Sequence, residues 1–387
     1  MVKKKLLFVI DSLSGGGAEK VLSILLKHLD NRLFSVTLCA LCDVGLYKKE
    51  IPSSVSYRPI LPDANGLSGF ALLAYKLKYH LIHRWLPAKW VYRLFIPKGS
   101  DIEIAFTEGF PTKILSGSTA RSSKRIAWIH IDLDVYPWTL IQRVFTNLKE
   151  ETACYRKFDR IIAVSNSVKN SFVRRYGQQP PVTVLYNPID YQEIRDKAKS
   201  ATPIPWPKDK RVFRFISVGR LTKQKGFDRL IRICGKLIRD GYSFFLIILG
   251  EGEQRITLEN MIHEEKLDHF ILLPGFFPNP YPVIAEADLF LCTSRAEGYS
   301  TAITESLILG TPVIATDCSG MRELMANRNG GVITENEEDV FYEKLKEILD
   351  GRIPYFFLKE NAIARGTDFQ SANPMLSIEQ FLLSSLQ

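Results

Sequence analysis

Long apolar runs are missing from this chain. A helix needs about 20 mostly apolar residues to cross a bilayer, and no run among the 387 residues approaches that length. The apolar start at Leu6 ends at Asp11, with no small-residue cleavage site behind it. It is therefore expected to be a first buried strand with a basic lead-in rather than a signal peptide. Cysteine is scarce. Six are scattered, at 39, 42, 154, 234, 292 and 318. One C-x-x-C stands without a second pair, which argues against a zinc site and against a secreted disulfide framework. A reducing cytoplasm is the expected setting. Low-complexity tracts and short-period repeats are missing too. So is any recognised nucleic-acid motif, which makes nucleic acid an unexpected partner despite the basic balance.

What is present is an ordinary globular composition, 46% hydrophobic and 24% charged, long enough for two domains. The net charge of +9 is unevenly spread. Residues 1–200 carry 30 Lys and Arg against 17 Asp and Glu, and residues 201–387 carry 21 against 25. The first half is expected to meet something anionic.

Strand-like and helical runs alternate from the start. Strands are predicted over residues 5–10, 35–41, 102–106, 125–129, 160–164 and 183–186, with a helix over 18–29. After the Pro-rich stretch Ala201-Thr-Pro-Ile-Pro-Trp-Pro207 the alternation restarts, with strands over 214–218, 244–249, 270–273, 289–292 and 312–315. This predicts an α/β chain of two Rossmann-like, doubly wound parallel-sheet domains facing a cleft. Residues 1–190 would form the first, with a C-terminal helix at about 374–387 packing back on it. Residues 191–373 would form the second.

Four segments carry the chemistry. In Ser294-Arg-Ala-Glu297-Gly-Tyr-Ser300-Thr301-Ala-Ile-Thr-Glu305 two carboxylates stand eight positions apart. Glu297 falls in a turn and Glu305 about one turn inside a helix that starts near Ser300 or Thr301. The free N–H groups between them suit a phosphate. In Gly219-Arg220-Leu-Thr-Lys-Gln-Lys225-Gly226 two cations follow a strand and could meet one diphosphate; a solvated basic loop is the plain alternative. Gly15-Gly16-Gly17 opens the first helix, where glycines allow close approach to a phosphate or sugar, or make a tight turn. Position 20 is Lys, so the dinucleotide pattern G-x-G-x-x-G is not met. His130 closes a strand at the edge where such sheets bind ligands, and is either a sugar contact or a packed histidine. Asp132-Leu-Asp134 imitates a metal-binding D-x-D. Residues 71–95 mix Lys, Arg and His with Trp and Tyr, as at a membrane interface or on a packed aromatic face. His80 and His83 there have metal-compatible spacing but no carboxylate motif.

Taken together, Gly219-Arg220…Lys225-Gly226, Gly250-Glu-Gly252, Leu273-Pro-Gly275, the E-x7-E pair, Gly310-Thr-Pro-Val-Ile-Ala315 and Gly320-Met-Arg-Glu323 resemble a GT-B glycosyltransferase of the retaining, family 4 type. The likeness is strongest over residues 215–330. It implies a hexose or N-acetylhexosamine transferase using a nucleotide diphosphate sugar, with UDP-sugar favoured, and requiring no metal or other cofactor. Arg220, Lys225, Ser300 and Thr301 would bind the diphosphate, Glu305 the ribose, and Glu297 the donor sugar. His130 and the loop of Gly15, Gly16 and Gly17 would close over donor and acceptor. The acceptor would be a lipid-linked or cell-surface glycan precursor, met at the inner face of the membrane through residues 71–95. Tyr299-Ser300 stands where the family often has Phe-Gly or Phe-Pro, which changes the sugar pocket. A nucleotide-sugar epimerase of the same architecture and a non-catalytic nucleotide-sugar-binding protein are the competing readings.

Overall fold

The computed structural model describes residues 2–202, 204–209, 211–325 and 330–386. The chain divides into two compact units, Met1–Pro188 with Asn373–Gln387, and Ile189–Ala372.

The first unit is built on a parallel sheet of β1 (Lys4–Ile10), β2 (Phe34–Ala40), β3 (Ser56–Tyr57), β4 (Ile102–Ala105), β5 (Lys124–Ile129), β6 (Arg160–Ala163) and β7 (Val182–Val184), in the order β3-β2-β1-β4-β5-β6-β7. In β1 the five residues from Leu6 to Ile10 are all buried. A strand with neighbours on both sides and helices on both faces reads as one continuous apolar run. The helix Gly17–His28 lays Val21, Leu22, Leu25 and Leu26 against the sheet as a single stripe. The helix Pro374–Ser384 belongs to this unit: Glu379 accepts the Asp30 N–H at 2.8 Å, and Ile378 and Leu382 are buried.

The second unit has β8 (Phe213–Val218), β9 (Phe244–Leu249), β10 (Ile271–Gly275), β11 (Leu289–Cys292), β12 (Val313–Thr316) and β13 (Gly331–Thr334), parallel in the order β10-β9-β8-β11-β12-β13. Successive side chains on a strand point to opposite faces, and two cores result. Phe215, Leu246, Leu291 and Ile314 face one; Ile216, Ile247, Phe290 and Val313 face the other. The Pro-rich stretch is not an open linker, because Ile204 and Trp206 are buried in the second of these cores. Two strands escaped the sequence reading. β3 is two residues long, and β13 opens on Gly331, where a Cβ would stand 1.9 Å from the Val313 carbonyl oxygen.

Strand order reverses between β1 and β4 in one unit and between β8 and β11 in the other. Loops leaving neighbouring strands there diverge, opening a crevice at the carboxyl ends.

No helix among the described residues is long and apolar enough to cross a membrane. Residues 71–95 fold as the helix Gly69–His80, a π-type turn Leu81–Trp85 and the helix Ala88–Phe95. The first of these helices buries no residue. Phe70, Leu73, Leu77, Trp85, Trp90 and Leu94 are all at least half exposed, Phe70 at 84%. The last helix is pinned by Tyr92, whose hydroxyl donates to buried Glu103 at 2.5 Å. His83 is a packing residue, stacked on Tyr79 at 3.9 Å and edge-on to Phe110 at 4.2 Å.

Candidate active site

The loop after β8 is fixed by contacts between backbones. Gly219 and Leu221 donate to the Leu249 and Glu251 carbonyls at 3.0 and 2.9 Å, and Gln254 donates to the Leu221 carbonyl at 2.9 Å. Gly250 has φ 151°, and a Cβ there would lie 1.9 Å from the Gly219 oxygen; at Gly252 a Cβ would lie 2.5 Å from the Leu221 oxygen. Glycine at both positions is what lets the two loops touch. The Arg220 side chain projects from this braced loop. It is exposed, with no side-chain hydrogen bond or ion pair among the described residues.

Lys225 ends the short 3-10 turn Lys223–Lys225, and Gly226, at φ 67°, leads into the helix Phe227–Arg239. The turn is fastened to the loop after β11. Arg295 N–H donates to the Gln224 carbonyl at 2.7 Å, Gln224 Nε2 to the Ala296 carbonyl at 2.9 Å, and Thr293 Oγ1 to the Gly226 carbonyl at 2.9 Å. The Arg295 guanidinium meets both Asp228 oxygens at 2.7 Å and the Lys223 carbonyl at 2.7 Å. These bonds bring Lys225 Nζ to 2.5 Å from Glu297 Oε1, which also accepts from Ser294 Oγ at 2.7 Å. Of the two expected phosphate-binding cations, one is open and the other is engaged by a carboxylate.

The helix Thr301–Ile308 starts where the spacing places it. Ser300 is its N-cap, accepting the Ile303 N–H at 3.4 Å, while Thr304 Oγ1 donates to the Ser300 carbonyl at 2.9 Å. The Thr301 and Ala302 N–H groups fall in the first turn, where no intrahelical carbonyl reaches them. The helix macrodipole favours an anion there. Glu305 is buried on this helix, one turn in.

In the first unit, Gly15 takes φ 103° and Gly16 caps the helix Gly17–His28. A Cβ on Gly16 would meet Glu19 Oε2 at 2.3 Å. His130 follows β5, its ring 4.8 Å from Phe106 and 6.0 Å from Trp128. Burial lowers its pKa to about 3, against a hydrogen bond with the Phe106 backbone, so the ring is neutral near pH 7. Its Nε2 is buried without a hydrogen-bond partner among the described residues. Glu108 holds the segment, accepting the His130 and Ile131 N–H groups at 2.5 and 2.9 Å. Burial pushes Glu108 up to about 7, against those backbone bonds. Asp11, after β1, is likewise raised to about 7 by burial, with Glu19 and Glu108 adding to the effect. Asp132 is structural: it accepts from the Asp134 and Val135 N–H groups and from the Ser171 hydroxyl, while Asp134 pairs with Arg174 and Arg175. No group of three or more His, Cys, Asp and Glu among the described residues has the arrangement of a metal site.

Arg220, Lys225, Glu297, Ser300, Thr301 and Glu305 thus lie in the second unit, and Gly15, Gly16, Gly17 and His130 in the first. Sequence reasoning missed Arg295, Asp228, Ser294 and Glu108. Arg295 and Ser294 stand inside the two-glutamate segment and could have been singled out. Asp228 and Glu108 carry no local signal.

Comparison with known proteins gives a consistent result. The family described as Glycosyltransferase Family 4 matches residues 15–193, and that described as Glycosyl transferases group 1 matches residues 198–365. The chain is 30% identical over 354 residues to N-acetylgalactosamine-N,N'-diacetylbacillosaminyl-diphospho-undecaprenol 4-alpha-N-acetylgalactosaminyltransferase of Campylobacter jejuni, covering 90% of each chain. It is 21% identical to lipopolysaccharide 1,6-galactosyltransferase of Salmonella typhimurium, covering 91% of each. Among solved structures, HepE of Anabaena in complex with UDP and glucose is 19% identical, with a TM-score of 0.71 and 99% of each chain covered.

Proposed function

Because the chain belongs to the GT-B glycosyltransferases of the family 4, group 1 type, we propose that it moves a hexose or N-acetylhexosamine from a nucleotide diphosphate sugar, UDP-sugar favoured, to a lipid-linked or cell-surface glycan precursor with retention. The observation that carries this reading is Arg220: an exposed cation, unpaired among the described residues, on a backbone-locked loop at the β8/β11 reversal. The capped start of the helix Thr301–Ile308, which follows β11, adds N–H donors for the same anion. Arg220 and Lys225 neutralise the charge that develops on the leaving diphosphate, so the chain's own cations do the work a metal does elsewhere. Ser300 and Thr301 receive a phosphate, and Glu305 takes the ribose hydroxyls. Glu297 addresses the sugar. It already serves Lys225 and Ser294, which suits a positioning carboxylate better than a free nucleophile. The leaving phosphate then accepts the acceptor's proton on the same face as the departing bond, and the enzyme contributes orientation.

In the first unit the loop of Gly15, Gly16 and Gly17 and neutral His130 supply acceptor-side contacts by hydrogen bonding rather than by charge. The helix Gly69–His80 and the segment to Phe95 rest on an anionic membrane at its inner face, with Trp85 and Trp90 at headgroup depth and Lys89 and Arg93 beside them. The Campylobacter relative is named for a diphospho-undecaprenol substrate and the Salmonella one for lipopolysaccharide, which supports a lipid-linked acceptor. The test is a panel of nucleotide diphosphate sugars screened by thermal shift, since a ligand that binds the native state raises its melting temperature. The binding sugar is then used to measure turnover. Arg220→Ala is expected to cost roughly 2–4 kcal/mol in kcat/KM, as loss of one preorganised charge donor does. A panel without a single shift, or near-normal turnover in Arg220→Ala, refutes the reading.

A further inference from the structure

We propose that the Lys225–Glu297 ion pair is a latch: the donor's diphosphate draws Lys225 away, and only then is Glu297 released to the sugar. The inference rests on the donor site proposed above and concerns how that site distinguishes an intact donor from a spent nucleoside diphosphate.

Three features argue for it. First, the two cations are in different states. Arg220 is exposed and has no side-chain partner among the described residues, while Lys225 Nζ sits 2.5 Å from Glu297 Oε1, with side-chain exposures of 21% and 8% for the pair. Arg220 is ready to meet a phosphate, and Lys225 must first exchange partners. Second, the exchange needs a side chain to move and no backbone. The turn is held through the Gln224 carbonyl, the Gln224 amide and the Gly226 carbonyl. The Lys225 stem runs past Gly219, where even a Cβ would lie 3.4 Å from its Cδ and Cε. Glycine there keeps any Cβ out of contact with the lysine stem. Third, Glu297 Oε1 already accepts two bonds, from Lys225 and from Ser294. When Lys225 leaves, a nearly buried carboxylate loses its counter-ion, which is costly unless new donors arrive. The neighbouring thiols of Cys292 and Cys318 offer no alternative charge, since burial raises both.

A diphosphate alone opens the latch and leaves Glu297 short of a partner. A diphosphate that carries a sugar opens it and brings hydroxyl donors to the same carboxylate. The latch therefore favours the intact donor and weakens the hold on the spent nucleotide, which helps product leave.

The experiment is calorimetric titration of UDP and GDP into wild type, Glu297→Gln, Glu297→Asp, Lys225→Met, the Lys225→Met/Glu297→Gln double variant and Arg220→Ala. Removing the Glu297 charge, or shortening its reach, is expected to tighten binding of the free nucleoside diphosphate, roughly fivefold to tenfold for a partly buried pair. Lys225→Met should abolish that gain, so the double variant binds no tighter than Lys225→Met alone. In Glu297→Gln the advantage of the nucleotide sugar over its free nucleoside diphosphate should also shrink. Unchanged or weaker nucleoside diphosphate binding in both Glu297 variants, with Arg220→Ala still impaired, overturns the latch and leaves the donor site standing. If neither nucleotide binds wild type, or if Arg220→Ala binds as tightly as wild type, the donor-site reading fails and the latch goes with it.

Discussion

Gly226→Ala is the sharpest probe of how the second unit holds its cationic turn. Gly226 takes φ 67°, and a Cβ there would lie 2.1 Å from the Thr293 carbonyl oxygen and 3.0 Å from its carbon. Those atoms are backbone, so no side chain can turn aside. The alanine brings about 1 kcal/mol of left-handed strain, and overpacking against a fixed carbonyl adds roughly 1–3 kcal/mol. Losing the Thr293 Oγ1 bond to the Gly226 carbonyl adds about 1 kcal/mol more. The sum, roughly 3–5 kcal/mol, corresponds to a fall of about 10 °C in Tm for a unit of this size. Gly241→Ala is the matched control. Its φ is 84°, yet nothing lies within 4 Å of the position its Cβ would take. Only strain remains there, and a fall of about 3 °C is expected. Both variants would be melted in parallel and titrated with the nucleotide sugar that the thermal-shift panel selects. Gly226→Ala should also bind it more weakly, because the displaced turn carries Lys225, whereas Gly241→Ala should bind normally. Equal melting shifts in the two variants would mean that the contact with Thr293 does not fix the turn.

Glu305→Ala should lower nucleotide affinity by removing the ribose acceptor; unchanged affinity by calorimetry removes Glu305 from that role. Replacing Trp85, Lys89, Trp90 and Arg93 together should reduce sedimentation with anionic vesicles while circular dichroism stays the same, and full sedimentation speaks against the membrane face. Glu108, raised from 4.5 to about 7 by burial, keeps its proton in the folded state at pH values where the unfolded chain has lost it. Its contribution to stability is therefore complete below about pH 4.5 and declines as pH rises towards 7, by at most about 1.4 kcal/mol per pH unit. Glu108→Gln can accept the same two N–H groups without a charge, so its Tm should gain on wild type between pH 5 and pH 8; a constant difference across that range would refute the buried-acid account.

What could be read from sequence was whatever short-range pattern determines. The continuous apolar runs of β1, β9 and β11 announced central strands, because strands covered on both faces leave no polar alternation. Ser300 announced a helix start, since a serine before an apolar-periodic stretch can cap it, and the Glu297–Glu305 spacing followed from that start. β3 was too short to leave a pattern, and β13 opens on Gly331, the second residue of a Gly-Gly dipeptide that reads as a turn. The partnerships within the site were also beyond reach. Lys225 and Glu297 are 72 positions apart, and so are Gln224 and Ala296. Glu108 meets the His130 backbone across 22. Only the strand order β8–β11 brings the first pairs together, and only the order β4–β5 brings the last.

The two units treat charge in opposite ways, and the difference bears on the division of chemical roles. At the β8/β11 reversal the backbone is held through glycine contacts at Gly226, Gly250 and Gly252, and charged side chains stand on it in ion pairs, Lys225 with Glu297 and Arg295 with Asp228. That arrangement keeps charge on a fixed backbone, so that only side chains need to move when an ion pair changes partners. At the carboxyl ends of β1, β4 and β5 burial works against charge instead: it lowers His130, leaving the ring neutral near pH 7, and raises Asp11 and Glu108 to about 7. Neutral groups recognise hydroxyls at less desolvation cost than ions do. A buried carboxyl poised near pH 7 can exchange donor for acceptor character with one proton. The two units therefore differ in how they hold charge, a difference that follows from burial and backbone geometry within each unit taken separately.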